Sequence, residues 1–265
     1  MGTLTGAVVS AITPGSVTPI APDAVTGLNL WLLADSIVGT EEGGHPTDWY
    51  ADVGGWDFNQ GDSSKRGQFN GSAVNGHAAM TFDGVDDYYR TTAAATSGTT
   101  PFGNATTQFW VIKPTYSANH GALYTWADPA DGSGNHTLVY APVRGGSPTT
   151  DSIFFDSGGD STGGRILCTV PADWNDNWHV LEVYRNPVAS GGAGEIVVDG
   201  VSLVSGTFTD DLEATFTEYI YMPTYHSGFA LWPGSLAEWC NYSRVLTSTE
   251  RAGVRLGLMN KYGIT

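Results

Sequence analysis

Between Gly234 and Ile264 the chain changes its hydrophobic period once, and that change restricts the possible folds sharply. Ser235 to Tyr242 alternates, with Leu236, Cys240 and Tyr242 on one parity and Ala237 and Trp239 on the other. Apolar residues on both parities predict a strand covered on both faces. Thr247 with Glu250 three residues later forms a capping box, which opens a helix. Val254, Leu258 and Tyr262 then share one helical stripe, and Gly263 supplies a stop. The expected plan is a sheet protein that closes on one small helix.

The rest of the chain reads as an all-β body. Charged residues make up only 14% of it, too few for many solvated helices, and its 35 glycines suit frequent turns. Leu28–Leu33, the stretch TQFWVIKP at 107–114 and WHVLEVYRN at 178–186 have strand pattern. In EIVVDGVSLV at 195–204, Asp199-Gly200 between two β-branched runs predicts a type I′ hairpin. Residues 40–75 lack a clear strand pattern and read as a long loop. No internal repeat is present, so residues 27–265 form one expected domain. Residues 1–26 differ in kind. They hold Pro14, Pro19, Pro22 and a single charge, Asp23, and predict an extended arm lying on this domain or on a neighbouring subunit.

Charge excludes several functions. With 27 acidic against 11 basic residues, the formal net charge of −16 argues against nucleic-acid binding and against docking on anionic lipid. No apolar run of about 18 residues predicts a transmembrane helix. The first 26 residues lack a basic, apolar leader pattern, so synthesis in the cytoplasm without a signal peptide is expected. Arg244, Arg251, Arg255 and Lys261 crowd the C-terminal end; Arg255 and Lys261 read as complements to the helix C-terminus, with a docking patch as the alternative. Cys168 and Cys240 are too few for a disulfide framework. They read as buried thiols, with one inter-sheet disulfide as the alternative.

Three stretches stand in an order that resembles concanavalin A-like, laminin-G-like jelly-roll domains: NGHAAMTFDGVDDYYR, then WHVLEVYRN with EIVVDGV, then GSLAEWCNYSRVLTSTER leading to MNKYGI. The resemblance covers roughly residues 27–264. It implies two packed antiparallel sheets in a jelly-roll sandwich, and it implies no single function, because this fold serves lectins, glycosidases, lyases and structural proteins.

No catalytic residues are assigned. A retaining glycosidase needs two carboxylates about 5 Å apart, commonly on alternate residues of one strand, and no such pair occurs. Glu41 and Glu42 are adjacent, Glu182 and Glu195 lie in different strands, and His179 and Tyr184 have opposite parities. Asp128, Asp131 and Asn135 offer oxygen ligands for a possible Ca²⁺, although their spacing is not that of an EF-hand and also suits ordinary turns. For a sugar, the candidate platforms are Trp49, Trp56, Trp126, Tyr225 and Trp232, with Phe229 between the last two.

The sandwich, the acidity and the apolar arm look like the small laminin-G-like proteins of tailed-phage virions. The expectation from sequence is therefore a non-enzymatic virion surface protein, a capsid decoration or short fibre. Its arm would contact capsid or other virion proteins and sister copies in a homo-oligomer. The alternative is a lectin-like module for host-surface glycans.

Overall fold

A computed structural model of the chain describes residues 17–96, 100–115, 120–126, 141–144, 152–156, 164–209, 211, 217–224 and 231–265. In chain order the first strands are β1 (Leu28–Leu33), β2 (Asp48–Tyr50), β3 (Asp57–Asn59), β4 (Gln68–Val74), β5 (His77–Asp83) and β6 (Tyr89–Thr91). Then come β7 (Ala95–Thr96), β8 (Thr106–Pro114), β9 (His120–Trp126), β10 (Ala141–Arg144), β11 (Ser152–Asp156) and β12 (Arg165–Thr169). The last are β13 (His179–Arg185), β14 (Ala193–Val198), β15 (Val201–Thr207), β16 (Thr217–Glu218), β17 (Ile220–Met222) and β18 (Pro233–Tyr242), followed by helix α1 (Ser248–Tyr262). Among the described residues, no helix is long and apolar enough to cross a membrane.

Most strands form a two-sheet antiparallel sandwich, and β7 pairs with β16 in a separate two-stranded sheet. The first sheet runs β15-β14-β13-β8-β18-β5-β4, with β1 also paired to β18, and the second runs β12-β11-β10-β9-β17-β6-β3-β2. Strand β18 is long enough to serve two partners on one edge: Pro233–Leu236 pairs with β5, and Glu238–Tyr242 pairs with β1. Alternation sends Trp110, Ile112, Leu181, Val183, Met80 and Phe82 of the first sheet inward against Trp49, Phe58, Tyr89 and Ile220 of the second. The opposite parity of the first sheet, including Phe109, Val111, Val180 and Cys240, builds a second core under α1. The stretch 40–75, expected as a loop, holds β2, β3 and all of β4. The three-residue runs of β2 and β3 are too short to show an alternating period.

Strand β18 departs from simple alternation. Its register against β8 slips between Leu236 and Glu238, so Ala237 is an extra residue, a β-bulge. Leu236 therefore faces inward with Trp239, while Ala237, Cys240 and Tyr242 lie in the outer core. The bulge also turns Glu238 towards the helix, where it accepts from Tyr262 and Lys261, each at 2.8 Å.

Local signals act as chemistry dictates. Asp199 and Gly200 both have positive φ, 49° and 85°, as a type I′ turn requires. The Thr247 hydroxyl accepts from the Glu250 N–H at 3.2 Å, and the Glu250 carboxylate accepts from the Thr247 N–H at 2.8 Å. Val254, Leu258 and Tyr262 are buried on the outer core, and each contributes about 1.5–3 kcal/mol of apolar burial.

The basic residues of α1 do more than complement its C-terminus. Fully buried Glu182 accepts from Arg251 at 2.8 Å and from Arg255, and Arg251 also reaches Glu195 at 3.0 Å. Glu238, 1% exposed, takes a further hydrogen bond from the Trp31 indole at 2.6 Å. The arginines and the lysine thus clip the helix onto carboxylates of the sheet. Cys168 and Cys240 carry free thiols, and Cys240 faces the helix side rather than the opposite sheet, which excludes the inter-sheet disulfide.

Residues 17–26 lie against their own domain. Ile20 N–H donates to the Gly253 carbonyl at 2.9 Å, and the Tyr242 hydroxyl donates to the Pro22 carbonyl at 2.8 Å. The segment sits in a groove left by Gly253 and Gly257, one turn apart on α1. A Cβ at Gly257 would run into the Ile20 backbone. Residues 1–16 of the expected arm lie outside the described residues.

Candidate functional site

The outward face of the second sheet carries a row of polar and aromatic side chains. Pairing aligns Asp48 with Asn59, Asn59 with Arg90, and Arg90 with Tyr221, across β2, β3, β6 and β17. Alternation explains the row. Phe58, Tyr89, Ile220 and Met222 point into the core, so their neighbours point out. Tyr88 and Tyr219 flank the row on the same parities.

These residues shape a groove of about 400 Å³ lined by Asn59, Gln60, Gly61, Tyr88, Arg90 and Tyr221. The Tyr88 and Tyr221 rings lie 6.5 Å apart at 42°, and Tyr219 meets Tyr221 edge-on at 6.4 Å. The Arg90 guanidinium carbon sits 4.3 Å from the centroid of the Tyr219 ring. Burial raises the Tyr221 phenol above its ordinary range, and its hydrogen bond with Arg90 pulls the other way. The phenol is therefore protonated at neutral pH.

The floor is held from below. Gln60 is buried and donates to the Tyr88 carbonyl at 3.0 Å. Arg66 donates to the carbonyls of Gln60 and Gly61 at 2.7 and 3.0 Å. The Asn59 amide donates to Asp48 at 2.6 Å. These bonds fix the groove before any ligand arrives, which lowers the ordering cost of binding.

The aromatic residues expected from sequence lie elsewhere. Trp49 and Trp232 are each 1% exposed in the inter-sheet core, and Trp49 donates its indole N–H to the Leu33 carbonyl at 2.9 Å. Neither offers a face to a ligand. The large indoles fill a sandwich interior that smaller side chains would leave void. Trp56 is half-buried and leans on the same core. Trp126 ends β9, opposite Ile220, with only its backbone described. Tyr225, Phe229, Asp128, Asp131 and Asn135 lie outside the described residues.

The groove residues were missed because they are spread from position 59 to 221. The available signal was the outward parity of YYR at 88–90 and EYIY at 218–221, each with a hydrophobic residue between two polar or aromatic ones.

Among the described residues, acids converge at several places, Asp35 and Glu238 meeting at Lys261. Glu182 and Glu195 meet through Arg251 beneath α1, a closed arrangement with both carboxylates committed to cations. Asp83, Asp86 and Asp87 bring carboxylate oxygens within 4.8 Å of one another in the FDGVDDY turn. There Asp83 accepts from the Val85 N–H at 2.7 Å and Asp87 from the Asp83 N–H at 3.0 Å, so both hold the turn. Burial, with Asp83 and Asp86 beside it, pushes the Asp87 carboxyl up to about 6.

No protein-family profile and no curated protein sequence matches the chain. Solved structures do resemble it. A Trypanosoma rangeli sialidase in complex with sialic acid aligns with a TM-score of 0.61 at 12% identity, over 93% of this chain and 36% of the sialidase. The binding domain of botulinum neurotoxin serotype G aligns with a TM-score of 0.56 at 14% identity, over 88% of this chain and 51% of that one. The binding domain of Paraclostridial Mosquitocidal Protein 1 aligns with a TM-score of 0.57 at 10% identity, over 89% and 55%. The chain thus spans between about a third and about half of these proteins. At such identities the likeness shows a shared β-sandwich fold.

Proposed function

We propose that this chain is a carbohydrate-binding module and that its sugar site is the groove of Asn59, Tyr88, Arg90 and Tyr221. The observation that carries the reading is the groove itself. Tyrosine rings, an amide and a guanidinium line one preformed groove, and a pyranose needs that combination, with C–H faces on aromatic rings and hydroxyls on fixed polar groups. Neighbours of the same fold support it: the botulinum neurotoxin serotype D ligand binding domain was solved in complex with N-acetylneuraminic acid. This reverses the order of the two readings reached from sequence and favours the lectin-like one. The virion setting is a separate proposal, tested by whether the protein is found in purified particles.

We read the module as non-enzymatic. None of the six described residues lining the groove is an acid, whereas glycosidic cleavage commonly takes two carboxylates. A glycan array probed with the wild type and with Tyr88→Ala tests the binding reading. The wild type should retain a defined set of glycans, and Tyr88→Ala should weaken that retention about tenfold with unchanged thermal stability. Equal retention by both proteins would remove the groove from the account.

A further inference from the structure

We infer, resting on the reading that this groove binds sugars, that it selects sugars bearing a carboxylate, with Arg90 as the specificity-determining residue. Arg90 is exposed and, among the described residues lining the groove, carries the only charged side chain. Among the described residues no carboxylate lies within 4.0 Å of it. In contrast, Arg185, Arg244, Arg251 and Arg255 are each ion-paired. Arg66 also has no carboxylate partner among the described residues, but its guanidinium is spent on the carbonyls of Gln60 and Gly61.

Its geometry leaves it ready for an anion. The guanidinium carbon lies over the Tyr219 ring, and the Tyr221 hydroxyl takes one hydrogen-bond position. A guanidinium has five N–H donors, so others are left to match the two oxygens of a carboxylate. The nearest acids of the row are engaged: Asp48 accepts from Asn59, and Glu218 accepts from the Tyr219 N–H at 2.7 Å. Arg66, gripping the carbonyls of Gln60 and Gly61, adds a second positive charge under the floor. The net charge of −16 repels anions at long range, but at physiological salt that field decays over about 8 Å, so contacts inside the groove decide affinity.

Sialic and uronic acids share this chemistry, and titration calorimetry on the full chain separates them. The probes are sialyllactose, its methyl ester, an oligogalacturonate and lactose. One or both acidic probes should bind at least about tenfold tighter than lactose, and the ester should fall to the level of lactose. Arg90→Gln should abolish that preference while its melting temperature stays that of the wild type, and Arg90→Lys should keep part of it. Lactose or the ester binding as tightly as the acidic probes, or Arg90→Gln keeping the preference, would overturn the selection and leave sugar binding intact. No binding of any probe, together with an empty glycan array, would overturn both.

Discussion

The two sheets present outward faces built from similar residue types and put them to opposite use. On the first sheet, Glu182, Glu195 and Glu238 are covered by α1, and Arg251, Arg255 and Lys261 neutralise them. On the second, Tyr88, Arg90 and Tyr221 line a groove, and Arg90 meets no acid among the described residues. A covered charge must be matched inside the molecule, because burying it alone is costly. An uncovered one can wait for an external partner. The position of one short helix therefore separates a covered face from the open one proposed for recognition.

Changes on the first face should cost stability. The largest effect is expected for Glu182→Ala, which strands Arg255 beneath the helix and leaves Arg251 only Glu195. Breaking a buried pair in this way costs about 3–5 kcal/mol. The denaturant midpoint should fall accordingly, and an unchanged midpoint would mean the clip is dispensable. Gly257→Ala should push Ile20 off α1 and cost about 1–3 kcal/mol through overpacking. Limited proteolysis should then cut near residues 17–22, and continued protection there would refute the docking of that segment. Thr247→Ala removes the helix cap and should cost about 1 kcal/mol. The expected loss of helix stability is read by hydrogen exchange of the first turn of α1.

The acidic turn sharpens the comparison from a third position. Burial pushes the Asp87 carboxyl up to about 6 in the folded protein, above its ordinary value of 3.8. The folded protein therefore holds this proton more tightly than the unfolded chain. Its contribution is fully present below about pH 4 and is lost as pH rises towards 6. Asp87→Asn should flatten the melting temperature over this window and raise it at neutral pH relative to the wild type. Parallel pH profiles for the two proteins would contradict the assignment.

Much of the fold was legible because its signals are local. The Asp199-Gly200 turn needs only two residues to reverse the chain, and the Thr247–Glu250 box spans four. The β18 bulge was not legible, because one inserted residue leaves the hydrophobic content unchanged while exchanging the faces of everything before it. Leu236 was accordingly placed with Cys240 and Tyr242 when it belongs with Trp239. The groove was hidden for a different reason. Its row is made by the register of four strands, and no linear spacing encodes which strand lies beside which. Looking for a sugar platform among tryptophans also pointed inward, since Trp49 and Trp232 are the residues the core most needs.

The central claim is that recognition sits on the second sheet, and chemical-shift mapping tests it directly. The ¹⁵N-labelled chain is titrated with sialyllactose and, separately, with lactose. The account predicts shifts concentrated at residues 59–61, 88–90 and 219–221, with α1 and residues 17–26 unmoved. Shifts confined to α1, to residues 17–26 or to any surface away from that groove would contradict it.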